Sequence, residues 1–195
     1  MPRRPRQESP TGCYHVINRG VTKKSIFHKD EDYKRYLALA KEHAEALGIR
    51  IYHYCLMTNH VHWLVWAPSI SCLGRWAHFV QRRYVYYYCG AYHWSGTLFQ
   101  GRYRCIPIES PSQLLECGRY IERNPLTAGL VKNLDEYNYH SAHHYAWNRK
   151  DPILTPSPEY EGISREATER IEQYRRYLLE ERLYERSLDR RPPAF

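Results

Sequence analysis

Two strand-like runs, 49–57 and 60–66, stand back to back with only Thr58-Asn59 as a tight connection between them, and this pair constrains the fold more than any other stretch. Before it, the apolar-rich run 13–18, closed by Arg19-Gly20, predicts a first strand. A helix over about 31–47 follows, with Asp30 as N-cap, Gly48 beyond its end, and Tyr33, Tyr36, Leu37, Ala40, Ala44 and Leu47 along one stripe. After the pair, 72–88 predicts a second helix and 90–101 a loop with room for a short strand. Residues 102–109 predict a fourth strand that Pro107 assigns to an edge or a bulge. Strand, helix, strand, strand, helix, strand is the split pattern of a ferredoxin-like antiparallel sheet. The expected class is α+β, βαββαβ, with helices packed on the sheet and a C-terminal helical tail.

The next helix start is sharply marked: Ser110 as N-cap, Pro111 in first helical position, and Gln113 completing a capping box, with Asn124-Pro125 as the expected end. A Tyr- and His-rich stretch covers 137–147, Pro152, Pro156 and Pro158 mark a linker, and Ser164 caps a last helix expected to reach about Ser187. The division read from this is a basic arm (1–12), the main domain (13–148), a Pro-containing linker (149–162) and a helical tail (163–195). Hydrophobic residues make up 43% of the chain, enough for a real core. No uncharged apolar run approaches the roughly 20 residues of a membrane span, and the start lacks the apolar stretch of a signal peptide, so the expected place is the cytoplasm. Six scattered cysteines suggest neither a disulfide framework nor a zinc site.

Charge narrows the function. The chain carries 29 Lys and Arg against 21 Asp and Glu, a net +8, and 22 of the basic residues are Arg, whose planar fork suits phosphate. Between Ala46 and Ile108 no acidic residue occurs, while Arg50, Arg75, Arg82, Arg83, Arg102 and Arg104 fall in that window. Trp76, Tyr84, Tyr86, Tyr87, Tyr88, Tyr92, Trp94, Phe99 and Tyr103 share it, a mixture that stacks bases while gripping backbone, although many of these rings must be core. Backbone contacts are expected from Arg19, Arg82, Arg83, Arg102 and Arg104, and from Arg3, Arg4 and Arg6 on the arm.

His60 and His62, two apart on a strand, face the same way and can converge on one metal ion, with Val61, Trp63 and Val65 on the opposite side. Two neutral imidazoles in a basic surface leave such an ion its positive charge, which suits phosphodiester activation; two packing histidines are the plainer reading. On the capped helix, Leu114, Cys117, Gly118 and Ile121 form the apolar stripe, and Tyr120 with Asn124 lies on its flank. Glu122 and Gln113 are spare candidates there. His140, His143 and His144 fit no closed metal motif and are read as a solvated loop.

Four motifs in order, Tyr14-His15-Val16-Ile17-Asn18-Arg19-Gly20, Thr58-Asn59-His60-Val61-His62-Trp63-Leu64-Val65, Phe99-Gln100-Gly101-Arg102-Tyr103 and the run from Arg119-Tyr120 through Asn124-Pro125 to Val131, resemble the REP-associated tyrosine transposases. These are domesticated relatives of single-tyrosine insertion-sequence transposases among the HUH endonucleases. The resemblance implies a pair, His60 and His62, holding Mg²⁺ or Mn²⁺ with Asn124 as third ligand, and Tyr120 as nucleophile forming a 5′-phosphotyrosine intermediate. It implies a substrate of single-stranded DNA beside an imperfect hairpin, the repetitive extragenic palindrome, and leaves a homodimer open. Tyr139-His140-Ser141 departs from the family's Trp-Ser-Ser. Against a strand-transfer enzyme stand two other readings: a hairpin-binding regulator that does not cleave, and an unrelated hydrolase using His60 and His62.

Overall fold

The structure, a computed structural model, describes residues 7–181. Strands β1 (Cys13–Arg19), β2 (Arg50–Met57), β3 (His60–Trp66) and β4 (Arg104–Pro107) form one antiparallel sheet in the order β2-β3-β1-β4. Helix α1 (Asp30–Leu47) connects β1 to β2, and α2 (Ile70–Tyr92) connects β3 to β4. This is the ferredoxin-like βαββαβ arrangement, and β4 is an edge strand, where a ladder tolerates Pro107.

Strand alternation decides what each face covers. Tyr14 and Val16 of β1 and Val61, Trp63 and Val65 of β3 meet α1 and α2 in a core with Tyr36, Leu39, Trp76, Val80 and Tyr84. Burying each such side chain contributes about 1.5–3 kcal/mol. The polar ends of the rings are satisfied: the Trp76 indole donates to the Ala40 carbonyl at 3.0 Å and the Tyr84 hydroxyl to that of Ile26 at 2.6 Å.

The start of α1 differs from expectation. Asp30 is its first helical residue and Lys29 holds the cap position. The capping carboxylate is that of Asp32, which accepts from the backbone N–H groups of His28 (2.7 Å) and Lys29 (3.1 Å). It also accepts the hydroxyls of Tyr87 (2.8 Å) and Tyr92 (2.6 Å). These bonds tie the start of α1 to the last turns of α2, which continues through Gly90 to Tyr92 where a loop was expected from Gly90.

The other face of the sheet lies under α3 (Pro111–Thr127), whose Leu114 and Ile121 pack on Cys13, Tyr52, Cys55 and Leu64. Ser110 Oγ accepts from the Gln113 N–H at 3.3 Å, and Gln113 Oε1 accepts from the Glu109 N–H at 2.6 Å, one residue earlier than a standard capping box. Gly118 lets α3 approach β2: a Cβ there would stand 2.8 Å from the His53 ring. Asn124-Pro125 does not end the helix, which runs on to Thr127. Pro125 has no N–H for the Ile121 carbonyl, and the Asn124 carboxamide replaces it, its Nδ2 donating to the carbonyls of Ile121 (3.3 Å) and Tyr120 (2.8 Å).

Beyond α3, helices α4 (Ala142–Trp147), α5 (Pro158–Glu161) and α6 (Ala167–Leu179) share a cluster of Tyr145, Tyr160, Tyr174 and Leu178. The stretch expected as a solvated loop is in part buried. β2 is the sheet's other edge, and an edge leaves backbone groups to be paired: the Leu56 N–H donates to the Tyr139 carbonyl (2.9 Å) and the Ser141 N–H to that of Tyr54 (3.0 Å). His140 and Ser141 are therefore fully enclosed. The segment expected as a linker also lies on β2, with the Tyr54 hydroxyl on Asp151 at 2.6 Å and the Thr155 N–H on the Ile51 carbonyl at 2.9 Å. The last helix begins at Ala167, with Glu166 rather than Ser164 in the cap position, and ends at Leu179; Arg3, Arg4, Arg6 and residues 182–187 of the expected helix lie outside the described residues. Among the described residues no helix is long and apolar enough to cross a membrane.

Candidate active site

The alternation that sends Val61, Trp63 and Val65 to one core leaves His60 and His62 on the α3 side, and the same phase of β1 leaves His15 there. In the register, His62 stands opposite Ile17 and His60 opposite Arg19. His15 Nε2 and His62 Nδ1 are 2.9 Å apart, sharing one proton in a hydrogen bond, and their rings stack at 5.2 Å. The His60 ring centroid is 5.0 Å from that of His62.

The turn before β3 sets the tautomer of His60. Asn59 Nδ2 donates to the Lys23 carbonyl at 3.1 Å, which turns its Oδ1 toward His60 Nδ1 at 2.6 Å. An amide oxygen only accepts, so Nδ1 carries the proton and Nε2 keeps its lone pair. Burial, with the Arg19 charge added, holds the His60 imidazolium range down to about 4. Burial and Arg104 push His15 to about 3, and burial with the neighbouring rings of His15 and His60 keeps His62 well below the usual histidine range. All three imidazoles are neutral at physiological pH.

Helix α3 brings the phenol. The Tyr120 ring lies 5.9 Å from His62 and 6.0 Å from His15, and the side chain is 46% exposed, open to a ligand on its outer side. Asn124 follows one turn later on the same flank. With Nδ2 engaged by the backbone, its Oδ1 is the atom left to accept or ligate.

Of the candidates named from sequence, His60, His62 and Tyr120 come together, with Asn124 one turn beyond Tyr120. Arg19 and Arg104 stand close enough for their charges to act on the imidazoles. Arg82 and Arg83 do not join them; they are exposed on α2, across the sheet from α3. Gln113 is engaged in the cap of α3. Glu122 is sealed on the inner side of α3, where it accepts from His53 Nδ1 (2.8 Å), Ser141 Oγ (2.6 Å) and the Tyr174 hydroxyl (2.8 Å). Burial opposes its ionisation, but His53 and these hydrogen bonds prevail and keep the carboxyl below its usual range. Of the aromatic window, Trp76, Tyr84, Tyr88, Phe99 and Tyr103 are core, while Tyr86 is 67% exposed.

His15 is the site residue that sequence reasoning passed over. Its signal is faint: β1 is buried on both faces, so alternation of polarity does not mark an inner side, and its partner lies on another strand. The backbone of α3 beside Tyr120 is held from behind. Arg119 donates from Nε to the Tyr177 carbonyl at 2.8 Å and from Nη2 to that of Glu180, while Arg123 reaches the Leu178 carbonyl at 2.7 Å. These cap the carbonyls that the end of α6 leaves without helical partners.

Residues 10–124 match the family model described as IS200-like transposase. No curated protein gives a significant match. Among solved structures, that of a REP-associated tyrosine transposase bound to a REP hairpin is similar, with a TM-score of 0.65 at 15% identity over 82% of this chain and 93% of that one. A crystal structure of a proposed transposase from Deinococcus radiodurans aligns with a TM-score of 0.43 at 17% identity, over 62% of this chain and 96% of that one.

Proposed function

The chain belongs to the family of IS200-like transposases, and from that premise we propose that it cleaves and rejoins single-stranded DNA beside a REP-type hairpin, with Tyr120 as nucleophile. The observation that carries this reading is a half-exposed phenol within 6 Å, ring to ring, of a cluster of neutral imidazoles. The four sequence motifs support the substrate class, as does the hairpin held by the structure similar in fold.

In this reading the Tyr120 oxygen attacks the scissile phosphorus. The bond between phosphorus and the 3′-oxygen breaks, the DNA 5′ end stays on Tyr120 as a phosphodiester, and the freed 3′-oxygen takes a proton. The phenol proton leaves on the side open to water. No bond energy is lost to hydrolysis, so a second 3′-hydroxyl can reverse the step without a nucleotide cofactor. Arg19, Arg102 and Arg104 would hold the phosphates on either side, with the arm bearing Arg3, Arg4 and Arg6 on the hairpin stem.

The residues fit Mg²⁺ or Mn²⁺. His60 presents a lone pair on Nε2, and Asn124 presents Oδ1. His62 can present Nε2 when Nδ1–H donates to His15, which makes His15 its positioning partner. Among the described residues no group of three His, Cys, Asp or Glu side chains is arranged to hold a metal, so phosphate oxygens and water would complete the shell. When bound, the ion supplies positive charge that polarises the phosphate oxygens.

The test is to incubate the protein and a labelled strand carrying a hairpin and a single-stranded flank with Mn²⁺ or Mg²⁺, and to look for a covalent adduct in a denaturing gel. Tyr120→Phe should abolish the adduct and leave DNA affinity intact. An adduct that survives this change would assign the chemistry to another tyrosine. Binding without any adduct from the unaltered protein would favour a regulator that does not cleave.

A further inference from the structure

The α3 side of the sheet holds the proposed chemistry, but a second surface lies on the far side of the molecule. Helix α2 buries Leu73, Trp76, Val80, Tyr84 and Tyr88 and turns its other side to solvent. Along that side Arg75, Phe79, Arg82 and Tyr86 follow one another at intervals of four, three and four residues, a line about 16 Å long at 1.5 Å per residue. Cation and ring alternate. Phe79 is 41% exposed and Tyr86 67%, while the Trp and other Tyr rings of α2 are half-buried or buried. The Arg82 guanidinium lies over the Tyr86 ring at 5.9 Å.

Beside this line, between α2 and residues 96–101, runs an open groove of about 580 Å³, lined by His78, Gln81, Arg82, Tyr86, Thr97 and Phe99 among others, with no carboxylate in its walls among the described residues. Gly101, at its mouth, has φ +143°, a backbone state that side chains with a Cβ rarely adopt, and nothing stands within 4 Å of where a Cβ would point. The groove ends at the sheet. Phe99 bridges to Gly20, and the Gln100 N–H donates to the Arg19 carbonyl at 2.8 Å; Arg19 is in register with His60. One border therefore joins the groove to the imidazole site.

We propose that this groove takes the unpaired nucleotides flanking the cleavage position, one base stacking on Tyr86 while Arg82 and Arg83 meet the neighbouring phosphates. The proposal rests on the DNA reading above and deepens it. A duplex hides the faces of its bases, so an exposed ring one helical turn beyond Arg82 and Arg83 matches a single strand. Charge complementarity points the same way: among the described residues the walls carry the Arg82 cation and no acid, and the stretch from Ala46 to Ile108 contains no Asp or Glu to repel a phosphate. The shared border with Arg19 gives such a strand a continuous path from the site.

The test uses the full chain and two oligonucleotides, a blunt hairpin and the same hairpin with a single-stranded flank, in fluorescence anisotropy. Tyr86→Ala is expected to weaken the flanked DNA by about 5- to 100-fold and the blunt hairpin by less than twofold; Tyr86→Trp should keep the affinity, since it keeps a stacking face. Equal losses on both oligonucleotides, or no loss on either, would overturn the proposal. Failure here is separable from failure of the cleavage reading. An adduct that depends on Tyr120, with flanked-DNA affinity indifferent to Tyr86, removes the groove alone. Flank-dependent affinity that needs Tyr86, without an adduct, removes cleavage and keeps the groove.

Discussion

Helix α3 covers two histidine clusters built from similar materials, and they have opposite characters. In one, His53 of β2 meets Glu122 at 2.8 Å, with Ser141 and Tyr174 completing the carboxylate's partners, and the whole group is shut away from solvent. In the other, His15, His60 and His62 meet no carboxylate among the described residues, and their outer neighbour is the half-exposed Tyr120. Tyr120 and Glu122 are only two residues apart, about 200° around the helix, so one element presents the nucleophile candidate outward and the anchoring acid inward. An acid among imidazoles fixes protons and locks structure. Imidazoles kept neutral by burial and by nearby arginines hold lone pairs ready for an electropositive ligand, and an acid there would cancel part of the charge such a ligand brings.

The largest effect separates the clusters by stability. Glu122→Ala strands His53, Ser141 and Tyr174 in a sealed space and should cost about 3–5 kcal/mol, lowering Tm by about 6–20 °C for a chain of this size. His60→Ala, at the half-open start of β3, should cost less than about 1.5 kcal/mol while removing Mn²⁺ binding. Thermal unfolding followed by circular dichroism compares the two; equal shifts would erase the distinction between lock and site.

The next effect lies within the open cluster. His15→Phe keeps the ring's volume but withdraws the acceptor for His62 Nδ1–H, and should weaken Mn²⁺ binding about 10- to 100-fold, measured by titration calorimetry. His15→Gln keeps an oxygen able to accept and should recover most of that loss. A Phe variant with full Mn²⁺ affinity would reduce His15 to packing.

These two clusters also show what a sequence makes legible. The order of strands, helix α1 and the start of α3 were readable because strands bounded by Thr58-Asn59 and Arg19-Gly20, and helices punctuated by Gly48 and Ser110-Pro111, carry their signals locally. His60 and His62 stood out by their spacing. His15 did not, because its meaning is a contact 47 residues away. The sealed cluster was hidden for the same reason: Ser141 and Tyr174 reach Glu122 from 19 and 52 residues downstream. A shift in register between Ile51 and His53 falls where β2 turns His53 toward α3, and nothing in the residues announces it. Asp30 misled as a cap because the acid that caps is Asp32, two residues on, recruited by tyrosines from α2.

A smaller effect tests how closely α3 is seated on the lock. Gly118→Ala places a methyl 2.8–2.9 Å from the His53 ring. Overpacking of this kind costs about 1–3 kcal/mol, less the roughly 1 kcal/mol by which Ala outranks Gly in a helix. Chemical denaturation should show a net loss of up to about 2 kcal/mol, partly relieved when His53→Ala is added.

The smallest expected change is the most discriminating about Asn124, which serves the fold and, in the proposed reading, the cation as well. Its Nδ2 supports the carbonyls of Tyr120 and Ile121 above Pro125, so Asn124→Ala should cost about 0.5–1.5 kcal/mol and fray the turn that follows Tyr120. Asn124→Ser offers a hydroxyl that can donate to the carbonyl four residues back and should restore most of that stability. The two roles then part company: the Ser variant keeps the turn but no longer presents a carboxamide oxygen from the same reach. Native-like unfolding with Mn²⁺ affinity reduced several-fold would assign Oδ1 to the cation. Native-like unfolding with unchanged affinity would leave Asn124 as the device that carries α3 through its proline, and a cation would draw on His60 and His62 alone.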